Sequence, residues 1–252
     1  MLAGNGGEHL LHLLEQENLT VLWEKAEGQT RTNLKIIDPV QNRNTDINEP
    51  GHQVTAEILQ TLLDRLCEKV TPGDIVVLSG SLPKGAPVDT YRVWTERLHS
   101  MGACVLLDAD GDCMAEGLQS APDLIKPNET ELSRLLSHPL KTETELLKAG
   151  GQLQAKGVAR VVISMGGDGA LFLLPNGAYR AKGLSVPVQS TVGAGDSMVA
   201  AMAYGLEKGL SDGEMIRLAM AMGAASVMQS GSQAPSADLV AVLASQVTPE
   251  AI

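Results

Sequence analysis

The chain has 252 residues, enough for one large α/β domain or two small ones, and its hydrophobic (44%) and charged (19%) fractions are ordinary for a globular protein. A formal net charge of −11 at pH 7 argues against nucleic-acid binding, which needs clustered lysine and arginine. Because no apolar run could cross a membrane and the three cysteines lack metal-binding spacing, the sequence predicts a cytoplasmic protein with reduced thiols.

The first fifty residues predict a small antiparallel region. After a loop at residues 4–7, residues 8–18 have the leucine spacing of a short amphipathic helix. Residues 20–27, 30–38 and 44–47 have the pattern of short strands, joined by turns at Glu27-Gly28 and Asp38-Pro39. We therefore expect residues 20–51 to form a β lid on a larger domain of residues 1–19 and 52–252.

From residue 55 the pattern changes to helices that alternate with apolar, β-branched strands. Helices are predicted at residues 56–70, 89–101, 129–137, 143–156, 196–208, 212–230 and 236–245, with a further short helix before residue 123. Strands are predicted at residues 75–80, 103–110, 123–128 and 160–166, and a hairpin at 169–174 and 178–181. This alternation is typical of a doubly wound, three-layer α/β/α sheet, in which ligands bind beyond the carboxyl ends of the strands.

The most informative stretch is STVGAGDS, residues 190–197, which directly precedes a predicted helix. Gly193, Ala194 and Gly195 would let backbone N–H groups converge at the positive end of that helix, where anions bind. Asp196 would repel a phosphate there, which makes sense if it takes a proton from a hydroxyl while the amides hold the transferring phosphoryl group. From these residues alone, a glycine-rich turn with Asp196 as the helix cap remains an open alternative.

Four further polar clusters follow predicted strands. They are Ser79-Gly80-Ser81 and residues 108–111, 126–131 and 164–169. Each alone could be an ordinary turn, and Asn128 with Glu131 could be merely the cap of a helix. Their common position at one edge of the sheet favours a ligand site over unrelated turns.

Arg31, Asn33 and Lys35 alternate with less polar residues, so strand periodicity would place all three on one face. A guanidinium fork suits a phosphate dianion, and a lysine adds a point charge. In a chain of charge −11 this face is a candidate site for an anionic substrate. The alternative is a solvated strand face.

Taken together, these motifs resemble the ribokinase-like (phosphofructokinase B) carbohydrate kinases, from about residue 4 to the C-terminus, and most of all the 1-phosphofructokinases among them. The matching segments are STVGAGDSMVAAMA, KPNETEL, VVISMGGDGALF, SGSLPKG, and TRTNLKIID followed by TDINEPG. The resemblance implies that Asp196 is the catalytic base and that the amides of Gly193, Ala194 and Gly195 form an anion hole. It implies sugar-phosphate binding by Arg31, Asn33, Lys35 and Ser81, and an indirect Mg²⁺ contact by Glu131. It implies ATP binding by Lys126, Asn128, Ser164, Met165, Gly166, Gly167, Asp168, Gly169 and Gly195.

The implied reaction is ATP-dependent phosphorylation of D-fructose 1-phosphate to fructose 1,6-bisphosphate, with a homodimer formed through the β lid. Tagatose-6-phosphate or fructose-6-phosphate kinase activity is the alternative within the family. Family members start with a strand and a glycine-rich sugar-binding segment, and this chain starts beyond both, which predicts a truncated gene product. A catalytically inactive nucleotide- or phosphosugar-binding remnant is therefore the alternative from another class.

Overall fold

The computed structural model describes residues 1–17, 19–38, 43–231 and 233–252. They form two compact units, one of Met1–Val70 with Leu82–Thr90 and one of Thr71–Ser81 with Tyr91–Ile252. Among the described residues, no helix combines the length and the apolar character needed to cross a membrane. The division into a kinase domain and a lid at residues 20–51 stays a prediction.

The first unit contains two helices and a two-stranded antiparallel sheet. They are α1 (Gly4–Gln16), β1 (Asn33–Asp38), β2 (Arg43–Asn48) and α2 (Ala56–Cys67). The register of β1 and β2 runs from Asn33 opposite Asn48 to Asp38 opposite Arg43. The predicted turn at Asp38-Pro39 reaches into residues 39–42, which lie outside the described part of the chain.

Two predictions for this unit are wrong. Residues 20–27 form no strand, because Lys25 alone among them makes a β-bridge, to Leu2. The carbonyl of Trp23 accepts a hydrogen bond from the Arg65 side chain and not from a neighbouring strand. Residues 4–7 are the first turn of α1 and not a loop. Gly7 is buried there, and a Cβ at that position would lie 3.0 Å from the side chains of both Leu2 and Thr30.

The second unit is built on a mixed sheet of seven strands whose spatial order follows the chain. Its strands are β3 (Ile75–Ser79), β4 (Cys104–Asp108), β5 (Leu124–Ile125), β6 (Arg160–Ser164), β7 (Gly169–Leu174), β8 (Gly177–Lys182) and β9 (Pro249–Ala251). The first four are parallel, and the last three continue the sheet in antiparallel pairs. The predicted hairpin is confirmed. The short β9 was not predicted, since three residues of Pro-Glu-Ala carry no strand pattern.

Helices cover both faces of this sheet. They are α3 (Thr90–Ser100), α4 (Gly111–Gly117), α5 (Glu129–Leu135), α6 (Glu143–Ala155), α7 (Ala194–Glu207), α8 (Asp212–Val227) and α9 (Ala237–Ala244). On one face Leu106, Val162 and Phe172 pack with Met202 and Ile216 of α7 and α8. On the other, Gly117 and Gly150 let α4 and α6 approach the sheet closely, since added Cβ atoms would meet leucine side chains of β4 and β7 at 2.5 and 2.8 Å. The predicted three-layer α/β/α fold is confirmed.

Candidate active site

The carboxyl ends of β3 to β6 and the first turn of α7 enclose a cavity of about 440 Å³. Because β3, β4, β5 and β6 are neighbours in the sheet, the polar residues that follow them converge at one edge. The lining residues are Ser79, Gly80, Ser81, Asp108, Ala109, Asp110, Cys113, Lys126, Asn128, Glu131, Ser164, Gly195 and Asp196. The four clusters and the STVGAGDS stretch therefore meet in one place, as the sequence predicts.

Helix α7 begins without a capping side chain. Its N-cap is Gly193, which has a φ of +79° and makes no side-chain hydrogen bond to the first turn. Asp196 lies inside the helix, and its neighbour Ser197 donates its N–H to the Gly193 carbonyl at 2.8 Å. The cap alternative for Asp196 is therefore wrong. An uncapped helix start, with its N–H groups and positive dipole end, is a suitable site for an anion.

A buried lysine lies against this helix start. Lys126 is only 6% exposed, which is unusual for a charged side chain. Its Nζ lies 3.4 Å from Oδ1 of Asp108. A Cβ built on Gly195 would lie 3.0 Å from the same Nζ, so a larger residue at this position would push the ammonium away from the α7 backbone by a few tenths of an ångström. Lys126 thus adds a full positive charge to the dipole of α7.

The other charges around the cavity are mostly negative. Burial, reinforced by the charges of Asp196 and Glu131, raises the pKa of Asp108 above its ordinary value, although Lys126 opposes the shift. Asp110 also lines the cavity and pairs with Arg134 at 2.7 Å. An unassisted phosphate would be repelled by so many carboxylates, and only the lysine side of the cavity is favourable for one.

Glu131 is held in place by the start of α5. Its Oε2 accepts from the Asn128 N–H at 2.9 Å, and Asn128 Oδ1 accepts from the Glu131 N–H at 2.9 Å. This is a capping box, so the helix-start interpretation of these residues is correct. Both residues also line the cavity, and the cap fixes them there.

A second cavity of about 360 Å³ adjoins the first. Asn128, Ser164 and Gly195 line both, so the two cavities meet at the first turn of α7. The rest of its lining is mostly aliphatic or glycine, and it comprises Gly166, Gly167, Gly169, Gly183, Leu184, Val186, Val188, Thr191, Ala194, Met198, Met220, Gly223, Ala224 and Val227. Such walls suit the flat, apolar faces of a nucleotide base.

The turn between β6 and β7 depends on glycine. Gly169 has a φ of +105°, and a Cβ there would lie 2.1 Å from the Ala181 carbonyl oxygen. Of the residues predicted to bind ATP in this turn, Ser164, Gly166, Gly167 and Gly169 line the second cavity. Met165 is buried, and neither Met165 nor Asp168 is among the residues that line this cavity.

The predicted sugar-phosphate residues Arg31, Asn33 and Lys35 belong to the first unit. Strand β1 begins only at Asn33, so Arg31 lies before the strand. The prediction that strand periodicity places Arg31 on one face with Asn33 and Lys35 is therefore wrong for Arg31. The strand starts late because the N–H of Thr32 donates to the Glu49 side chain at 2.9 Å. Asn33 and Lys35 lie opposite Asn48 and Asp46 in the ladder.

Several residues at or beside the two cavities were not predicted. Cys113 lines the first cavity, and the aliphatic wall of the second comes from residues 184–188 and from α7 and α8. Tyr91, on α3, donates its hydroxyl hydrogen to the Ser79-Gly80-Ser81 turn. Apart from the α7 residues, which lie in the STVGAGDSMVAAMA segment, none of these residues belongs to a motif, because each reaches the site through tertiary packing.

Comparisons with known proteins bear on the family. The sequence profile of the pfkB family carbohydrate kinases matches residues 3–239. A 1-phosphofructokinase from Haemophilus influenzae is 37% identical over 219 residues, 86% of this chain and 70% of that protein. One from Escherichia coli strain K12 is 36% identical over 208 residues, 82% of this chain and 66% of that protein. The chain thus spans about two thirds of the length of these curated relatives.

Comparison with solved structures points to the same family. The structure of phosphofructokinase-2 from Escherichia coli in complex with potassium matches with a TM-score of 0.91 at 31% identity, covering 97% of this chain and 80% of that one. The profile and the relatives each cover most of the sequence, and the residues matched by the profile include every motif around the two cavities. The chain belongs to the pfkB family of carbohydrate kinases.

Proposed function

We propose that the chain transfers the γ-phosphoryl group of ATP to a phosphosugar, with D-fructose 1-phosphate as the acceptor and fructose 1,6-bisphosphate as the product. The observation that carries this proposal is the position of Asp196 in the uncapped first turn of α7, where the two cavities meet. The 1-phosphofructokinase names of the curated relatives support the choice of acceptor.

In the proposed reaction Asp196 takes the proton of the acceptor's free primary hydroxyl. That oxygen attacks the γ-phosphorus, and the bond from the γ-phosphorus to the bridging oxygen breaks, leaving ADP with the electron pair. The N–H groups of Gly193, Ala194, Gly195 and Asp196 stabilise the transferring oxygens. Lys126, whose ammonium lies against Gly195, neutralises part of their charge.

We assign the second cavity to the nucleotide. Its mostly apolar lining fits the base, and we propose that Asn128, Ser164 and Gly195, at its junction with the first cavity, bind the phosphates. Met165, Asp168 and the other residues of the 164–169 turn are proposed to shape this cavity, by their backbone where the side chain does not line it.

Mg²⁺ fits the first cavity chemically, because carboxylate oxygens are its preferred protein ligands and the lining carries several. When bound beside Glu131, it would supply positive charge that offsets the negative charge of the phosphates and carboxylates. Among the described residues, no group of three or more His, Cys, Asp or Glu side chains could hold a metal ion. Glu131, already fixed by its cap, would therefore act through water or beside phosphate ligands.

The acceptor's own phosphate needs a different environment from the carboxylate-rich first cavity. We propose that Arg31, Asn33 and Lys35 bind it, since a guanidinium and an ammonium on one short segment suit a dianion. Ser81 is proposed to bind the sugar, as it lines the first cavity and not the second.

The test is an assay of ADP release, coupled to NADH oxidation, with fructose 1-phosphate, fructose 6-phosphate or tagatose 6-phosphate as acceptor. The proposal predicts the highest kcat/KM for fructose 1-phosphate. A higher value for either 6-phosphate would assign the chain to the alternative acceptor. ATP binding without ADP release from any acceptor would favour the inactive remnant.

We also propose a homodimer through the β1–β2 sheet. Leu34, Ile36 and Ile47 are 55%, 50% and 50% exposed, and Leu34 pairs with Ile47 in the ladder, so they form one apolar face that a second copy would cover. Ile36→Lys should lower the sedimentation mass to that of one chain. Val242→Lys, at an equally exposed position on α9, should not change it. A cytoplasmic location is proposed from the ATP requirement and the three unpaired cysteines.

A further inference from the structure

Tyr91 holds the turn that follows β3. It is the second residue of α3 and is only 7% exposed. Its hydroxyl lies 3.1 Å from the Ser79 carbonyl oxygen and 2.9 Å from that of Gly80. One hydroxyl hydrogen thus serves two consecutive carbonyl groups of the Ser79-Gly80-Ser81 turn.

The same turn is held from its other side by β4. The N–H of Gly80 donates to the Asp108 carbonyl at 2.9 Å, and Gly80 has a φ of +91°. Its N–H is therefore fixed by the sheet and its carbonyl by Tyr91. Burial, with the charges of Cys113 and Asp108 adding to it, raises the pKa of Tyr91 to about 12, so the hydroxyl stays a neutral donor at physiological pH.

The turn contacts only the cavity that we assign to the acceptor. Ser79, Gly80 and Ser81 line the first cavity, whereas none of them lines the second. The residues common to both cavities come from other segments, namely Asn128, Ser164 and Gly195. A change in the turn should therefore affect the acceptor and leave the nucleotide alone.

We propose that Tyr91 is a positioning residue for the phosphosugar, whose hydroxyl fixes the backbone of the Ser79-Gly80-Ser81 turn in the geometry that binds the acceptor. The proposal rests on the proposed function, because it takes the first cavity as the acceptor site. Tyr91 itself does not line either cavity, so its effect is transmitted through the turn.

The test is Tyr91→Phe, which removes the hydroxyl and keeps the buried ring. Loss of a neutral hydrogen bond typically weakens binding by about 3- to 10-fold, so the KM for fructose 1-phosphate should rise by that factor. The KM for ATP and kcat should stay within about twofold of the wild type. Tyr179→Phe is the matched control, since that hydroxyl lies 3.4 Å from Asp212, a residue that lines neither cavity, and neither KM should change.

An unchanged acceptor KM in Tyr91→Phe would overturn the proposal, and so would an equal rise in both KM values, which would mean a general structural role. ATP titration by calorimetry checks that the variant is folded. If the wild type turns over none of the three phosphosugars, the proposed function fails separately. Calorimetric titration of fructose 1-phosphate into the wild type and Tyr91→Phe then tests the role of Tyr91. Equal affinity in the two proteins, or no binding to either, would count against that role.

Discussion

Adding a single methyl group at Gly195 should separate catalysis from stability. In Gly195→Ala the new Cβ would lie 3.0 Å from Lys126 Nζ and 3.4 Å from its Cε, so the lysine must withdraw by a few tenths of an ångström. Lys126 has little room to do so, because its side chain is 7% exposed and paired with Asp108. The variant therefore displaces the ammonium from the helix start without removing any charge.

The size of the effect follows from that displacement. A misplacement of about 1 Å at a reacting centre can cost about 100-fold in rate, so a shift of roughly half that should lower kcat about 10-fold, or about 1.4 kcal/mol. Stability should move the other way or stay level. Replacing glycine by alanine in a helix usually gains about 0.5–1 kcal/mol, which offsets the strain of moving the lysine.

The assay pairs steady-state ADP release with urea unfolding, and Gly151→Ala is the matched control. Gly151 is in α6, and nothing lies within 4 Å of a Cβ built there. Gly151→Ala should gain about 0.5–1 kcal/mol of stability with unchanged kcat. If Gly195→Ala also keeps its kcat within about twofold, the role given to Lys126 at the transferring phosphoryl group is refuted.

Other predictions concern binding and stability. Arg31→Ala should raise the KM for the sugar phosphate about 10- to 150-fold and leave that for ATP unchanged, with Arg31→Lys rescuing only in part; an equal rise for ATP would indicate misfolding. Because the folded-state pKa of Asp108 is raised, its contribution to stability is full below the ordinary value of 3.8 and is lost as pH rises through the folded pKa. Asp108→Asn cannot titrate at this position and so lacks this pH-dependent loss of stability. The free energy of unfolding in urea should therefore fall for the wild type, relative to the variant, between about pH 4 and neutrality. Gly169→Ala, with its Cβ 2.1 Å from a backbone oxygen, should cost about 3 kcal/mol or more, whereas Gly166→Ala, with φ +55° and open space, should cost about 1–2 kcal/mol in the same measurement.

The α/β part of the fold was predictable because its signals are local. The capping boxes at Asn128, Thr142 and Ser211 mark where α5, α6 and α8 begin, and the β-branched run at residues 160–164 is a buried strand. Residues 20–27 have an equally good strand pattern, yet only Lys25 finds a partner. Periodicity describes which faces a strand would present and cannot say whether a neighbouring strand exists.

Gly7 shows a second limit of local signals. A glycine in a run such as GNGG is typical of a loop, but here it allows close packing beside α1, since an added Cβ would lie only 3.0 Å from Leu2 and Thr30. The composition of a segment does not distinguish a glycine chosen for backbone freedom from one chosen for close packing.

The residues of the candidate site likewise fall into those that a local motif predicts and those that it does not. Asp196, Gly195, Lys126 and Asn128 were predicted because each lies in a contiguous motif, which directly precedes a helix for the first two and follows a strand for the others. Tyr91 lies outside every such motif, and so does the part of the second cavity's aliphatic wall that comes from residues 184–188 and α8. Only the packing of the sheet against its helices brings those residues together, so no spacing in the sequence indicates them.

The central claim is that Asp196 acts as the base at the start of α7, and single-turnover measurements of wild type and Asp196→Asn test it most directly. With ATP and fructose 1-phosphate bound, the rate of phosphoryl transfer in the variant should fall by about 10²- to 10⁴-fold, the usual range for loss of a positioned base. ATP affinity should stay level or rise, because a carboxylate near the γ-phosphate has become neutral. Near-normal phosphoryl transfer by Asp196→Asn would contradict the account.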